Sequence, residues 1–177
     1  IVFISVDALR ADHVSAYGYE RKTTPNIDAL AATGTVFENA YCATPNTSYS
    51  VTSMMIGKYA RPLVLLDLLD DSETWASYVR KYGYRTAAFY PPAVFFIDTA
   101  KFEGFKRRKF DFEYAKVEYL PADGRVEQVD AYLREPSVAS KPLFLWVHLF
   151  EPHEPYEYHS EFPFQDTTAG GVPTGVD

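Results

Sequence analysis

Apolar runs and helix-period stripes alternate along the chain. Residues 1–6 (IVFISV) form an apolar, β-branched run, the pattern of a strand covered on both faces, and it ends at Asp7. Thr24 then stands at an N-cap position with Pro25 at the first helical position, where a missing N–H costs nothing. Ile27, Leu30 and Ala31 give that helix its apolar stripe, and Gly34 closes it. Residues Val36 to Tyr41 read as a short second strand. The next stretch, TPNTSYSVTSMMIGKY over residues 44–59, turns at Pro45-Asn46 and continues as a helix with Val51, Met54 and Met55 at i, i+3 and i+4. Thr47 or Ser48 occupies the N-cap position and Gly57 the C-terminal cap.

Ser72 and Glu73 predict the start of another helix, which carries Trp75, Tyr78, Val79 and Tyr82 inward and ends at Gly83. Residues 85–90 (RTAAFY) read as a strand stopped by Pro91-Pro92. Residues 91–121 have no clean period. They hold eight Phe or Tyr and a basic run, Lys106 to Lys109, and read as an excursion with a solvated basic loop rather than the cap of a cleft. A modest helix follows over Val126 to Leu133, then a strongly apolar strand over Pro142 to Leu149. This rhythm of helix, glycine and strand predicts an α/β fold with a largely parallel central sheet and helices on both faces. Residues 1–164 read as one domain. Residues 165–177, rich in Gly, Thr and Pro, read as loop or linker and a point of truncation.

Composition narrows the function. A chain of 177 residues, 47% hydrophobic, is long and apolar enough to bury a core. The net charge of −7 argues against a nucleic-acid-binding face. It leaves an anionic substrate open, since a bound cation inverts the local field. One cysteine, Cys42, excludes an intrachain disulfide framework and a thiolate-rich zinc site; its apolar neighbours predict burial. No apolar run reaches 18 residues, so no membrane span is expected. No signal peptide is visible, and a leader or anchor would lie ahead of Ile1. Compartment and oligomeric state stay open.

Three chemistry-bearing residues leave carboxyl ends of expected strands or begin the next helix: Asp7, Thr47 and His153. A parallel sheet gathers such ends on one edge. Asp7 is a hard oxygen ligand for a divalent cation, or else a turn carboxylate. Thr47 offers either a helix cap or a hydroxyl that a cation helps to deprotonate. His153 can protonate a leaving group or hydrogen-bond a substrate oxygen. Arg10, Asp12 and His13, close in sequence, read as a local ion-pair cluster. The three-residue constellation suits displacement at phosphorus or sulfur, where negative charge must be held and a nucleophile aimed in line.

Three stretches carry a family resemblance: ISVDALRADHVSAYGYERKTTPNIDALAATGTVFENAY, PNTSYSVTSMMIGKY and FLWVHLFEPHEPY. Together they resemble the amino-terminal half of the sulfatase family, within the alkaline-phosphatase-like superfamily. The resemblance implies that fold, incomplete here, and a divalent cation (Ca, Mg, Mn or Zn, which it does not distinguish) acting on an anionic ester. It implies that Asp7 is the first metal-binding aspartate. Thr47 falls where sulfatases place the Cys or Ser converted to formylglycine, and where related phosphotransferases use a Thr nucleophile that also meets the metal. His153 matches the histidine near the leaving side, and Lys58 and Arg61 are implied to lend positive charge to the substrate. Two departures stand out. Ala8 occupies the place of a second aspartate, and Thr47-Ser48-Tyr49-Ser50-Val51 replaces the C/S-x-P-x-R signature. The resemblance therefore implies a sulfatase-like hydrolase or transferase of phosphate or sulfate esters working through Thr47. Its rivals are a non-catalytic binding protein of the same fold and a formylglycine-independent sulfuric ester hydrolase.

Overall fold

The computed structural model of the chain describes residues 1–155. They fall into two compact units. The first joins Ile1–Asp7 to Tyr41–Phe150, and the second joins Ala8–Ala40 to the residues from Glu151.

The first unit is built on four strands: β1 (Val2–Val6), β2 (Arg85–Tyr90), β3 (Tyr114–Val117) and β4 (Leu143–Leu149). They run parallel in the order β1-β4-β2-β3. Side chains alternate across a pleated strand, so β2 and β4 feed two cores, whereas β1, expected to be covered on both faces, packs Phe3 inward and leaves Val2 and Ile4 exposed. On one face Ala88, Tyr90, Phe144 and Trp146 pack with Val51, Met55 and Ile56 of α2 (Thr47–Ile56), Ala60 and Val64 of α3 (Ala60–Leu65), and Ala76 and Val79 of α4 (Trp75–Arg80). On the other, Ala87, Phe89, Leu145 and Val147 meet Val129 and Tyr132 of a later helix, Ala122–Leu133. A parallel α/β sheet with helices on both faces is thus as the sequence predicts.

The structure corrects several local expectations. Residues 36–41 form no strand; Val36, Phe37 and Tyr41 are exposed, and among the described residues no strand pairs with them. Cys42 is exposed rather than buried, because residues 40–43 belong to no packed element. The helix expected from Ser72 begins at Trp75, with Thr74 as its N-cap in a capping box with Ser77. It buries the small side chains Ala76 and Val79 against the sheet, which turns Trp75 (50% exposed), Tyr78 (45%) and Tyr82 (65%) outward. β3, within residues 91–121, went unread. The aromatics of that segment complete the core: Phe95, Phe102, Phe105, Phe110 and Phe112 are all buried, the middle of the set on and around α5 (Glu103–Arg108). The basic run behaves as expected at Lys106, Arg107 and Lys109, which are exposed. Arg108 instead reaches the carbonyls of Asp70 (3.2 Å) and Ser72 (3.1 Å).

Arg125 of α6 (Ala122–Leu133) is 2% exposed and donates to the Glu118 carbonyl at 2.6 Å and to Gln128 Oε1 at 2.7 Å. Burial lowers the guanidinium pKa from its ordinary value, and the Glu118 charge offsets part of that. Removing one partner of a buried polar contact costs more than the bond is worth, because the other partner stays desolvated. Arg125→Ala is therefore expected to cost about 2–3 kcal/mol in denaturant unfolding. A loss below about 0.5 kcal/mol would show that the contact is incidental.

In the second unit, α1 (Pro25–Ala31) starts with Pro25 at its first position, as predicted. Thr24 is its N-cap residue but makes no side-chain cap bond; its hydroxyl accepts from the Ser15 amide at 3.0 Å. Arg10 pairs with Asp12 through two hydrogen bonds, 2.9 and 2.6 Å, and His13 Nδ1 lies 3.0 Å from Asp12. These contacts, Arg10's first, hold the exposed Asp12 carboxyl well below its ordinary value. They are the local ion-pair cluster that the sequence predicts. Residues 165–177, read as linker, lie outside the described residues.

Candidate active site

The Asp7 amide donates to the Leu149 carbonyl at 2.8 Å, which carries the β1–β4 ladder one residue past the Val6–Leu149 pair. Asp7 therefore leaves the carboxyl edge of the sheet, where open α/β folds place ligands. Its side chain is 10% exposed.

Thr47 is the first residue of α2, and Asn46 holds the N-cap position without a side-chain cap bond. The Thr47 hydroxyl donates instead to Asp7, at 3.1 Å to Oδ1 and 3.4 Å to Oδ2. Neither expected cap is one: Ser48 Oγ accepts from the Ile97 amide at 3.1 Å. The next hydroxyl, Tyr49, donates to Asp98 Oδ2 at 2.7 Å, and that carboxylate raises the phenol's pKa. All three side chains of the first turn are thus tied to other parts of the chain rather than to their own helix. Gly57 ends α2 at φ +64°, the left-handed C-cap expected of it.

Two hard oxygens, from a carboxylate and a hydroxyl, converge here, and such donors suit a divalent cation. Asp7 and Thr47 fit as two of its ligands. Among the described residues no group of three or more His, Cys, Asp or Glu is placed to hold a metal ion. After Asp7 the chain bends sharply, with Ala8 at φ +54°, a region in which Asp or Asn is more at ease than Ala.

Lys58 and Arg61 follow the far end of α2, and a ten-residue helix is about 15 Å long. Lys58 Nζ sits 3.5 Å from Ser72 Oγ and lines a cleft of about 450 Å³ with Trp75 and Tyr78. The charge of Arg61 is felt at the Tyr49 hydroxyl. His153 belongs to the second unit, half-buried, with Nδ1 donating to the Glu154 carbonyl at 2.8 Å.

Sequence reading missed His148, the register partner of Ser5 in the β1–β4 ladder. It is 3% exposed, with Nδ1 2.7 Å from Ser5 Oγ and Nε2 3.4 Å from Asp7 Oδ2. Trp146 Nε1 donates to the same Ser5 Oγ at 3.0 Å. The signal was available: polar residues interrupt two apolar strands near their carboxyl ends, Ser5 two places before Asp7 and His148 two after Trp146.

Known proteins resemble this chain in sequence and in fold. The family model described as Sulfatase matches residues 1–175. An arylsulfatase of Clostridium perfringens is 30% identical over 145 residues, which cover 76% of this chain and 29% of that protein. The zinc complex of the C-terminal periplasmic domain of EcEptC from Escherichia coli superposes with a TM-score of 0.67 at 19% identity, covering 98% of this chain and 51% of that one. The soluble domain of lipooligosaccharide phosphoethanolamine transferase A from Neisseria meningitidis gives a TM-score of 0.64 at 17% identity, covering 94% and 50%. The chain thus spans under a third of the curated relative and about half of these solved structures. A family-model match over nearly the whole chain places this protein in the sulfatase family.

Proposed function

We propose that the protein is a sulfatase-like, metal-dependent hydrolase or transferase of phosphate or sulfate esters, with Thr47 as its nucleophile. One observation carries this: the Thr47 hydroxyl opens a helix at the carboxyl edge of the sheet and points its proton at the Asp7 carboxylate. A hydroxyl kept for capping would accept an amide proton of its own helix, and this one does not. Asp7 and Thr47 would hold the cation, whose chemistry is to lower the hydroxyl's pKa and offset charge on the ester oxygens.

Thr47 Oγ forms the new bond to phosphorus while the bond to the leaving oxygen breaks, and the hydroxyl proton is lost toward Asp7. The departing alkoxide takes a proton from solvent, and the amides of the first turn of α2 favour the anionic group in flight. Water or an acceptor alcohol then takes the group from Thr47, restoring the hydroxyl. We prefer phosphoryl to sulfuryl transfer because no C/S-x-P-x-R signature surrounds Thr47. Lys58 and Arg61, which follow the C-terminal end of α2, lend positive charge to the substrate.

The test offers one chromogenic alcohol as its phosphodiester, phosphomonoester and sulfate ester to the full-length protein, with Zn²⁺ or Mn²⁺ added and again with a chelator. Release from a phosphate ester that the chelator stops and metal restores is expected. Release from the sulfate ester alone would move the reading to sulfuryl chemistry. No release from any ester at saturating metal would favour a binding protein of this fold.

A further inference from the structure

Side chains from β1, β4 and α2 form one continuous chain of hydrogen bonds: Trp146, Ser5, His148, Asp7, Thr47. For a neutral His148 ring its direction follows from donor chemistry. An indole N–H can only donate, so Ser5 Oγ accepts from Trp146. A neutral imidazole has one N–H and one acceptor nitrogen. If Nδ1 carried the proton, a bare Nε2 lone pair would face the Asp7 carboxylate. With the proton on Nε2, both contacts are satisfied: Ser5 donates to Nδ1 at 2.7 Å, and Nε2–H donates to Asp7 Oδ2 at 3.4 Å.

From this we infer that His148 is a positioning residue, held by Ser5 as its Nε2–H tautomer, and that it aims the Asp7 carboxylate at Thr47. The ring approaches Oδ2 from the sheet side, and the Thr47 hydroxyl lies 3.1 Å from Oδ1 and 3.4 Å from Oδ2. The inference rests on the reading of Asp7 and Thr47 as the reacting pair. The ring is 3% exposed and has a directed contact at each nitrogen, and one of the two is to the carboxylate that the Thr47 hydroxyl also meets. Partners behind a ligating group set its orientation, and their loss typically weakens metal binding about 10–100-fold.

Two measurements on the full-length protein decide it. Ring ¹⁵N spectra of the metal-free protein are expected to show His148 protonated at Nε2 and bare at Nδ1, with that preference lost in Ser5→Ala. A His148 ring protonated at Nδ1 alone would overturn the assignment. In titrations with Zn²⁺ alone, His148→Leu is expected to weaken affinity about 10–100-fold, while His148→Gln, whose amide can still donate to Asp7, stays within about threefold. Adding Ser5→Ala to His148→Leu should change nothing more, since Ser5 acts through the ring. Unchanged affinity in both Ser5→Ala and His148→Leu, with a loss in Asp7→Asn, would sink the positioning role and leave the active-site reading standing. Unchanged affinity in Asp7→Asn would sink the active-site reading itself, and the positioning role with it.

Discussion

Thr47→Ala is expected to lower turnover of the ester substrate by at least about a thousandfold while leaving the fold intact. The side chain lost is small and half-buried, and its hydrogen-bond acceptor, Asp7, keeps its contact to His148. The stability cost is that of a single hydrogen bond, about 1 kcal/mol. Thr47→Ser, which keeps an oxygen at the same place, is expected to retain most of the activity. Unfolding curves and steady-state rates on the same samples separate the two roles. Undiminished turnover with a loss of about 1 kcal/mol would mean that Thr47 only ties α2 to β1.

The largest effect on stability falls at Trp146. Its indole is fully buried, stacked on Tyr90 at 4.8 Å between ring centroids and near-parallel to Phe112 at 6.0 Å, with Phe110 edge-on at 5.8 Å. Trp146→Ala leaves a void in close-packed surroundings, and a loss of about 3–5 kcal/mol is expected in chemical denaturation. The variant also strips Ser5 of its donor. Trp146→Phe keeps most of the ring but not the N–H, and should cost about 1–2 kcal/mol. Equal losses in the two would show that the indole hydrogen bond, rather than packing, dominates at this position.

The frame was legible because its strands are extreme in composition. RTAAFY and PLFLWVHL are apolar enough to be covered on both faces, and the structure covers them; IVFISV reads the same way but packs Phe3 inward and leaves Ile1, Val2 and Ile4 exposed. α2 was legible from the spacing of Val51 and Met55 and the glycine that ends it. β3 was not, because a four-residue edge strand has no period of its own and gains its identity by pairing with β2. Residues 36–41 show the reverse, with strand-like residues but, among the described residues, no strand that pairs with them. The outward turn of Trp75, Tyr78 and Tyr82 was hidden for a similar reason. Two stripes of α4 are apolar, and the sheet takes the one with the smaller side chains.

At the site, single residues were readable and partnerships were not. Asp7 and Thr47 could be nominated from their positions after a strand and before a helix. That Thr47 bonds Asp7, 40 residues away, depends on where α2 docks. His148 escaped notice because an apolar strand hides a lone histidine. Only its register opposite Ser5 shows that the ring has a purpose.

The central claim is that Thr47 becomes covalently bound to the group it transfers. Intact-mass analysis of the full-length protein after brief exposure to a phosphate ester and divalent metal tests it, with peptide mapping to locate any adduct. The account predicts a mass increase of one transferred phosphoryl group on the peptide holding Thr47, absent in Thr47→Ala. Ester turnover with no adduct on Thr47 under any quench, or an adduct that persists in Thr47→Ala, would contradict it.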